Sequence, residues 1–243
     1  MSKAIIKSGL ILLVVLLALV PIIGCVPEEV PPPEKKVIKV GILSDLTGPY
    51  STVGVPIFDG YFDYYRHINE TEGGINGIPV KATWGDCKAD PAISISLYRR
   101  FRAEGIVCLS TTTSSETTAL SAILGRDKMP CTSTAGASNI YFPPRNVFST
   151  YIVSAFIMAT GLDWYYGEWQ KKGLDRPMRV ALLTWDNPYG RDGRGGAERW
   201  IERHKPAVEI VTDLFTSPMT MDYTSELTII KGDNPDLVVC TVS

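Results

Sequence analysis

The chain alternates between short apolar runs and stretches whose apolar residues recur at helical spacing. Residues 37–44, VIKVGILS, are an apolar run ending in polar residues, which predicts a buried strand followed by a loop. Phe58, Tyr61, Phe62, Tyr65 and Ile68 then recur three and four apart, the spacing of one helix face. EGGINGIP stops that helix with glycines and a turn. Residues 79–85 read as a second strand. DPAISISLYRRFRAEG predicts a helix with Pro91 in its first turn and Gly105 just past its end. IVCLS follows as a strand, SETTALSAILGRD as a helix and MPCTS as a strand.

Residues 142–150, FPPRNVFST, read as extended, and the alternation then restarts. A helix is expected over 152–172, a strand at RVALLTWD, a helix over 195–204, a strand at VEIVTDLF, a short helix over 225–231 and a strand at DLVVCTVS. Strand then helix, repeated, predicts parallel sheets with helices on both faces. The expected fold class is therefore α/β: two doubly wound parallel-sheet lobes, at residues 37–145 and 146–243, with a hinge near 143–151. The last strand has no helix after it, so the second lobe is expected to be incomplete and the chain a fragment of a longer protein.

The N-terminus follows a different pattern. Lys3 and Lys7 precede an uncharged stretch from Ser8 to Val26, the layout of an export signal. Ile22-Ile23-Gly24-Cys25 resembles the lipobox of bacterial and archaeal lipoproteins, in which the cysteine becomes the lipidated first residue. The expectation is a signal peptide over residues 1–24, lipidation at Cys25 and a Pro-rich tether over 25–36, CVPEEVPPPEKK. The alternative is a plain membrane anchor. Either places the rest of the chain outside the cytoplasmic membrane, attached to its outer face. Loss of Lys3 and Lys7 would move the net charge from −2 to −4. No basic block appears, and nucleic acid is not an expected partner.

Four further cysteines are Cys87, Cys108, Cys131 and Cys240. An exported protein permits disulfides, and buried free thiols are the equal alternative for the last three. There is no C-x-x-C, and His67 and His204 lie far apart, so no metal site is expected. Asn69-Glu70-Thr71 fits the glycosylation triplet, alone a weak signal.

In such sheets ligands bind at the carboxyl ends of the strands. The loops there read LTGPYSTVG (46–54), TTTSS (111–115), STAGAS (133–138) and WDNPYG (185–190). They are small, hydroxylated and glycine-rich, with Tyr50 and Tyr189. Ser114 or Ser115 is the expected N-cap of the helix that follows the hydroxyl run. The N–H groups at that helix start could hold a carboxylate or a neutral polar group without a cation. No loop offers a general base, neither histidine lies in a strand-end loop and no G-x-S-x-G occurs, so neither an enzyme nor a cofactor is expected. Glu116 is the acid nearest the hydroxyl run, and capping accounts for it.

The segments VGILSDLTGPYSTVG, HINETEGGINGIPV, TTTSSETTALSAI with MPCTSTAGAS, and VALLTWDNPYGRDG resemble, in their order and spacing, the extracytoplasmic solute-binding proteins of the branched-chain amino-acid (Leu/Ile/Val) type that serve ABC transporters. The resemblance implies two lobes closing on a small-molecule ligand and an ABC-transporter permease as partner. It implies ligand contacts from Thr113, Ser114 and Ser115, from Ala135, Gly136 and Ala137 with Ser138 beside them, from Val53 and from Tyr189. It also implies an optional Cys87–Cys108 disulfide. Relatives that bind amino acids carry an acid where this chain has Ser154, so amides, urea or an aromatic acid stay open as ligands. A sensor of the same fold that feeds a signalling protein is the alternative role.

Overall fold

The computed structural model describes residues 36–242. The expected signal peptide, lipidation at Cys25 and nearly all of the tether lie outside the described residues. No described helix is long and apolar enough to cross a membrane.

Five parallel strands form the first sheet: β1 (Ile38–Ser44), β2 (Val80–Asp86), β3 (Cys108–Thr111), β4 (Cys131–Ser133) and β5 (Val147–Ser149), in spatial order β2-β1-β3-β4-β5. Alternate residues of the strands supply the two faces. On one, Val40 and Val80 pack with Ile68 of α1 (Ser51–Glu72). On the other, Leu43 and Leu109 pack with Tyr98 and Phe101 of α2 (Pro91–Glu104) and Leu120 and Leu124 of α3 (Ser114–Asp127). The expected stop after α1 is present: Gly73 is left-handed at φ 69°, and the Gly74 N–H reaches the Ile68 carbonyl at 3.0 Å.

The second sheet has the order β7-β6-β8, built from β6 (Met178–Trp185), β7 (Val208–Thr216) and β8 (Leu237–Cys240). Met178, Val180 and Leu182 face α4 (Ser154–Gln170) and α5 (Pro188–Arg203). Ala181 and Leu183 face Ile230 of α6 (Thr224–Asp233).

Two expectations need correction. The stretch expected as the hinge contains a strand: β5 pairs in register with β4, Cys131 opposite Val147 and Ser133 opposite Ser149. The first sheet therefore runs to Ser149 rather than ending by residue 145; a strand of three residues is too short to display a period of two. The helix expected over 195–204 begins at Pro188. Asn187 caps it, its Oδ1 accepting the Gly190 N–H at 2.7 Å, with proline in the first turn. Glycines that look like a loop in sequence are needed here for packing. A Cβ on Gly196 would strike the Ala155 carbonyl, so α5 can approach α4 this closely only without one.

Of the two states left open for the thiols, the free one is present. All four described cysteines are free. Cys87 follows the C-terminal end of β2, whereas Cys108 opens β3 opposite Val40, and Val40 lies four residues before Ser44, the partner of Asp86. At about 3.3 Å per residue the two thiols sit at opposite ends of the sheet, out of disulfide reach. Two aromatic residues of α4 pack internally. Trp169 is buried beneath the Arg176 guanidinium, 4.7 Å from its ring, and Tyr166 packs edge-on against Trp200, so these rings belong to the second lobe's packing. Asn69 of the glycosylation triplet is engaged internally: its amide donates to the Val80 carbonyl and accepts the Val80 N–H, both at 2.8 Å.

Candidate functional site

The loops at the carboxyl ends of β1, β3, β4 and β6 meet along one seam between the two sheets. Three contacts cross it. The Asn187 Nδ2 donates to the Tyr50 phenol at 2.8 Å. Ser154, the first residue of α4, donates its backbone N–H to the Gly136 carbonyl at 2.7 Å. The Ser138 hydroxyl donates to Asp192 Oδ1.

The first-lobe side of the seam is built around buried carboxylates. Asp45, fully buried, accepts the N–H groups of Gly48 at 2.5 Å and Tyr50 at 2.8 Å and so shapes the β1–α1 loop. Glu116, also fully buried, accepts the N–H groups of Thr112 at 2.7 Å and Thr113 at 2.8 Å, the Thr113 hydroxyl at 2.7 Å and the Cys87 thiol at 3.2 Å. Burial raises the Glu116 pKa, and these donors oppose the rise. The helix cap is Thr113, in extended conformation, rather than Ser114 or Ser115.

This geometry separates the residues singled out in the sequence. Thr113 gives its hydroxyl proton to Glu116 and its carbonyl to Thr117. The buried Ser114 accepts the Gly136 N–H at 3.0 Å, which leaves its own proton available. Ser115 is half-buried, beside the Tyr50 phenol. The N–H groups of Ser114 and Ser115 begin α3 and have no intrahelical acceptor. Ala135 is consumed internally, its N–H by Ser133 and its carbonyl by the Tyr141 hydroxyl. The N–H of Ala137, by contrast, has no protein partner among the described residues. The Tyr189 ring lies against Gly136, where a Cβ would meet Cε2 at 2.5 Å, and burial pushes its phenol up to about 12. Val53 lies in the first turn of α1, about half exposed at 51%, and joins none of these contacts.

Two site residues escaped the sequence. Asn187 and Asp192 lay in what read as a glycine-rich loop, although Asn-Pro before a possible helix is itself a start signal. Asp192 Oδ2 accepts the Ser154 hydroxyl at 3.0 Å and the Ala155 N–H at 3.1 Å. A carboxylate thus stands next to the position where amino-acid-binding relatives are expected to have one, but protein donors occupy both its oxygens.

Two parallel-sheet lobes with loops from both lining one seam define a bilobal binding protein. Residues 37–243 match the family described as periplasmic binding protein, and the chain belongs to that family. A curated relative, the Leu/Ile/Val-binding protein homolog 1 of Brucella abortus, is 36% identical over 69 residues, which are 28% of this chain and 18% of the relative. The fatty acid ABC transporter substrate-binding protein from Thermomonospora curvata superposes with a TM-score of 0.74 at 22% identity, over 84% of this chain and 51% of that one. An R. palustris ABC-transporter solute binding protein in complex with benzoate gives 0.71 at 23% identity, over 85% and 56%. The leucine binding protein of Thermotoga maritima gives 0.69 at 16% identity, over 84% and 56%. The chain thus spans about half the length of the solved structures it matches, and these show the fold.

Proposed function

We propose that the chain belongs to a membrane-tethered, extracytoplasmic solute-binding protein that captures a small polar solute between its lobes and delivers it to an ABC-transporter permease. The observation that carries this reading is the convergence of the hydroxyl run, the Gly136 loop and Tyr189 on one seam crossed by hydrogen bonds. Lobe closure around the solute would shift an open–closed equilibrium, with no chemistry performed. Anchoring is through lipidated Cys25.

The donors on the α3 side, the N–H groups of Ser114, Ser115 and Ala137, suit a carboxylate or an amide. The acids of these loops, Asp45, Glu116, Asp186 and Asp192, all carry protein donors, Asp186 through an ion pair with Arg191, which disfavours an ammonium group at the same end of the solute. Aromatic side chains, Tyr50 against Trp185 at 6.0 Å and Tyr189, suit an apolar remainder. Amino acids, short amides and aromatic or aliphatic acids are the classes to compare.

The test is thermal unfolding of the protein without its anchor, in the presence of branched-chain and aromatic amino acids, their keto acids, benzoates, short amides and urea. A bound solute raises stability by roughly 2.7 kcal/mol at about 100 times its dissociation constant. A shift with one class, abolished by Ser114→Ala together with Tyr189→Ala, supports the reading. A shift that survives both substitutions places the solute elsewhere and removes the seam as the site.

A further inference from the structure

We infer that Glu116 is the positioning residue of the solute site: by accepting hydrogen bonds, it holds the hydroxyl-run loop after β3, from which the first lobe would contact a solute, and ties it to the loops after β2 and β1. This rests on the proposed solute-binding reading and adds a determinant to it.

One carboxylate is reached from two loops directly and from a third through a relay. Oε1 accepts the N–H groups of Thr112 and Thr113, at 2.7 and 2.8 Å, and the Thr112 hydroxyl at 3.1 Å. Oε2 accepts the Thr113 hydroxyl at 2.7 Å and the Cys87 thiol at 3.2 Å, which brings in the loop after β2. Thr112 Oγ1 is also 3.1 Å from Ser44 Oγ; with the Thr112 proton given to Glu116, Ser44 is the donor, which brings in the start of the loop after β1. An ordinary helix cap satisfies the first turn of its own helix. Here the capping side chain is fully buried and reaches beyond its helix to Cys87 directly and to Ser44 through the Thr112 hydroxyl. Ser114 and Ser115 follow directly on the two peptides that Oε1 holds, so the direction of their N–H groups depends on it.

The division of labour between the two oxygens says what kind of acceptor is needed. Backbone N–H groups cannot reverse, and both go to Oε1. The partners of Oε2, a hydroxyl and a thiol, can turn to accept instead. A glutamine fits this pattern with its carbonyl oxygen at Oε1 and its NH2 at Oε2. An aspartate keeps the charge but is one methylene short of the loop. The positioning is therefore a matter of reach and acceptor geometry, and charge is dispensable. Titratable neighbours of Glu116 are Cys87, Tyr50 and Cys131, each sensing it electrostatically, with Asp45 beyond Tyr50.

The test compares Glu116→Ala, Glu116→Gln and Glu116→Asp in the anchor-free chain. Amide hydrogen exchange at Thr112 and Thr113 is read without solute, and dissociation constants are read with leucine and benzoate as probes. Exchange at these amides should accelerate at least tenfold in the Ala and Asp variants and stay near wild type in Gln, with amides of β1 and β3 unchanged. Any probe that binds should lose at least tenfold in affinity in Ala and Asp and recover in Gln. Wild-type-like exchange in Ala and Asp overturns the inference; so does a Gln variant that behaves like Asp, which would make charge the operative property. If Ala fails to fold, the Asp–Gln contrast decides. If neither probe binds, exchange alone decides, and the failure belongs to the choice of solute rather than to the role of Glu116.

Discussion

The phenol of Tyr50, on the first lobe, accepts a hydrogen bond from the side-chain amide of Asn187, on the second, across 137 residues of sequence at 2.8 Å. Tyr50 precedes α1 and Asn187 caps α5, so the contact joins two helix starts in different lobes. Burial raises the phenol's pKa and the Asn187 bond opposes that rise, so the group stays neutral across the physiological range.

Tyr50→Phe removes this bond and leaves the ring in place. A hydrogen bond of this kind contributes about 1 kcal/mol, so the ratio of closed to open lobes should fall roughly fivefold. Small-angle scattering on wild type and variant would read this as an increase in radius of gyration; equal radii would remove Tyr50 from the closure contacts.

Gly136→Ala places a methyl where the Tyr189 ring now lies. The expected loss of stability is about 1–3 kcal/mol. In a Tyr189→Ala background the same substitution should be nearly neutral, because the obstacle is gone. Denaturant unfolding of the four proteins in this double-mutant cycle measures the coupling. Additive losses would mean that the backbone at residue 136, rather than the ring, resists the methyl.

Glu116 gives a pH dependence of defined sign. Burial is the largest influence on it and raises its folded-state pKa above the ordinary carboxylate range. The folded protein therefore binds this proton more tightly than the unfolded chain. The corresponding stability is present below the unfolded pKa and is lost as pH rises through the folded one. Glu116→Gln does not titrate. Melting temperatures from about pH 4 to 8 should show the variant gaining on wild type as pH rises. A gap that narrows with pH would contradict the sign.

Two glycines on helices should respond in opposite ways to alanine. At Gly196 the methyl would strike the Ala155 carbonyl, so a loss of about 1–3 kcal/mol is expected. At Gly232 in α6 nothing lies within 4 Å, and Gly232→Ala should add about 0.4–1 kcal/mol by restricting the unfolded chain. Chemical denaturation of both variants reads the contrast directly.

The same glycines explain how much of the fold the sequence disclosed. The βα alternation was legible because buried strands such as VGILS and ALLTW are mostly apolar and their helices carry three-and-four spacing. The start of α5 was not, because Gly190, Gly193 and Gly196 weaken helix propensity and are explained only by what packs against them: the Trp185 backbone at Gly190, Thr241 and α4 at Gly193, and Ala155 of α4 at Gly196. Strand β5 was missed for a related reason: three residues next to prolines become a strand only when β4 supplies the partners. For the site, the loops were legible and their internal wiring was not. The sequence shows hydroxyls at Thr113 and Ser114, but which of them turns inward to a carboxylate and which toward Gly136 depends on a fold that brings residues 22 apart into contact. Asp192 was hidden with the helix that carries it.

The first sheet is drawn from one uninterrupted stretch of chain, from Ile38 to Ser149, and this has a consequence in time. Its five strands need nothing later in the sequence to pair. In the second sheet, by contrast, β6 sits between β7 and β8 and keeps an unpaired side until Leu237–Cys240 arrives. Chains fold from the N-terminus as they are made, at about 5–20 residues per second. The half of the seam that carries the hydroxyl run can therefore be standing, with Glu116 already wired to its loops, seconds before Tyr189 has a lobe to sit on. Protease resistance of nascent chains halted after residue 149 plus the length buried in the ribosome would show this order; chains digested until β8 emerges would refute it.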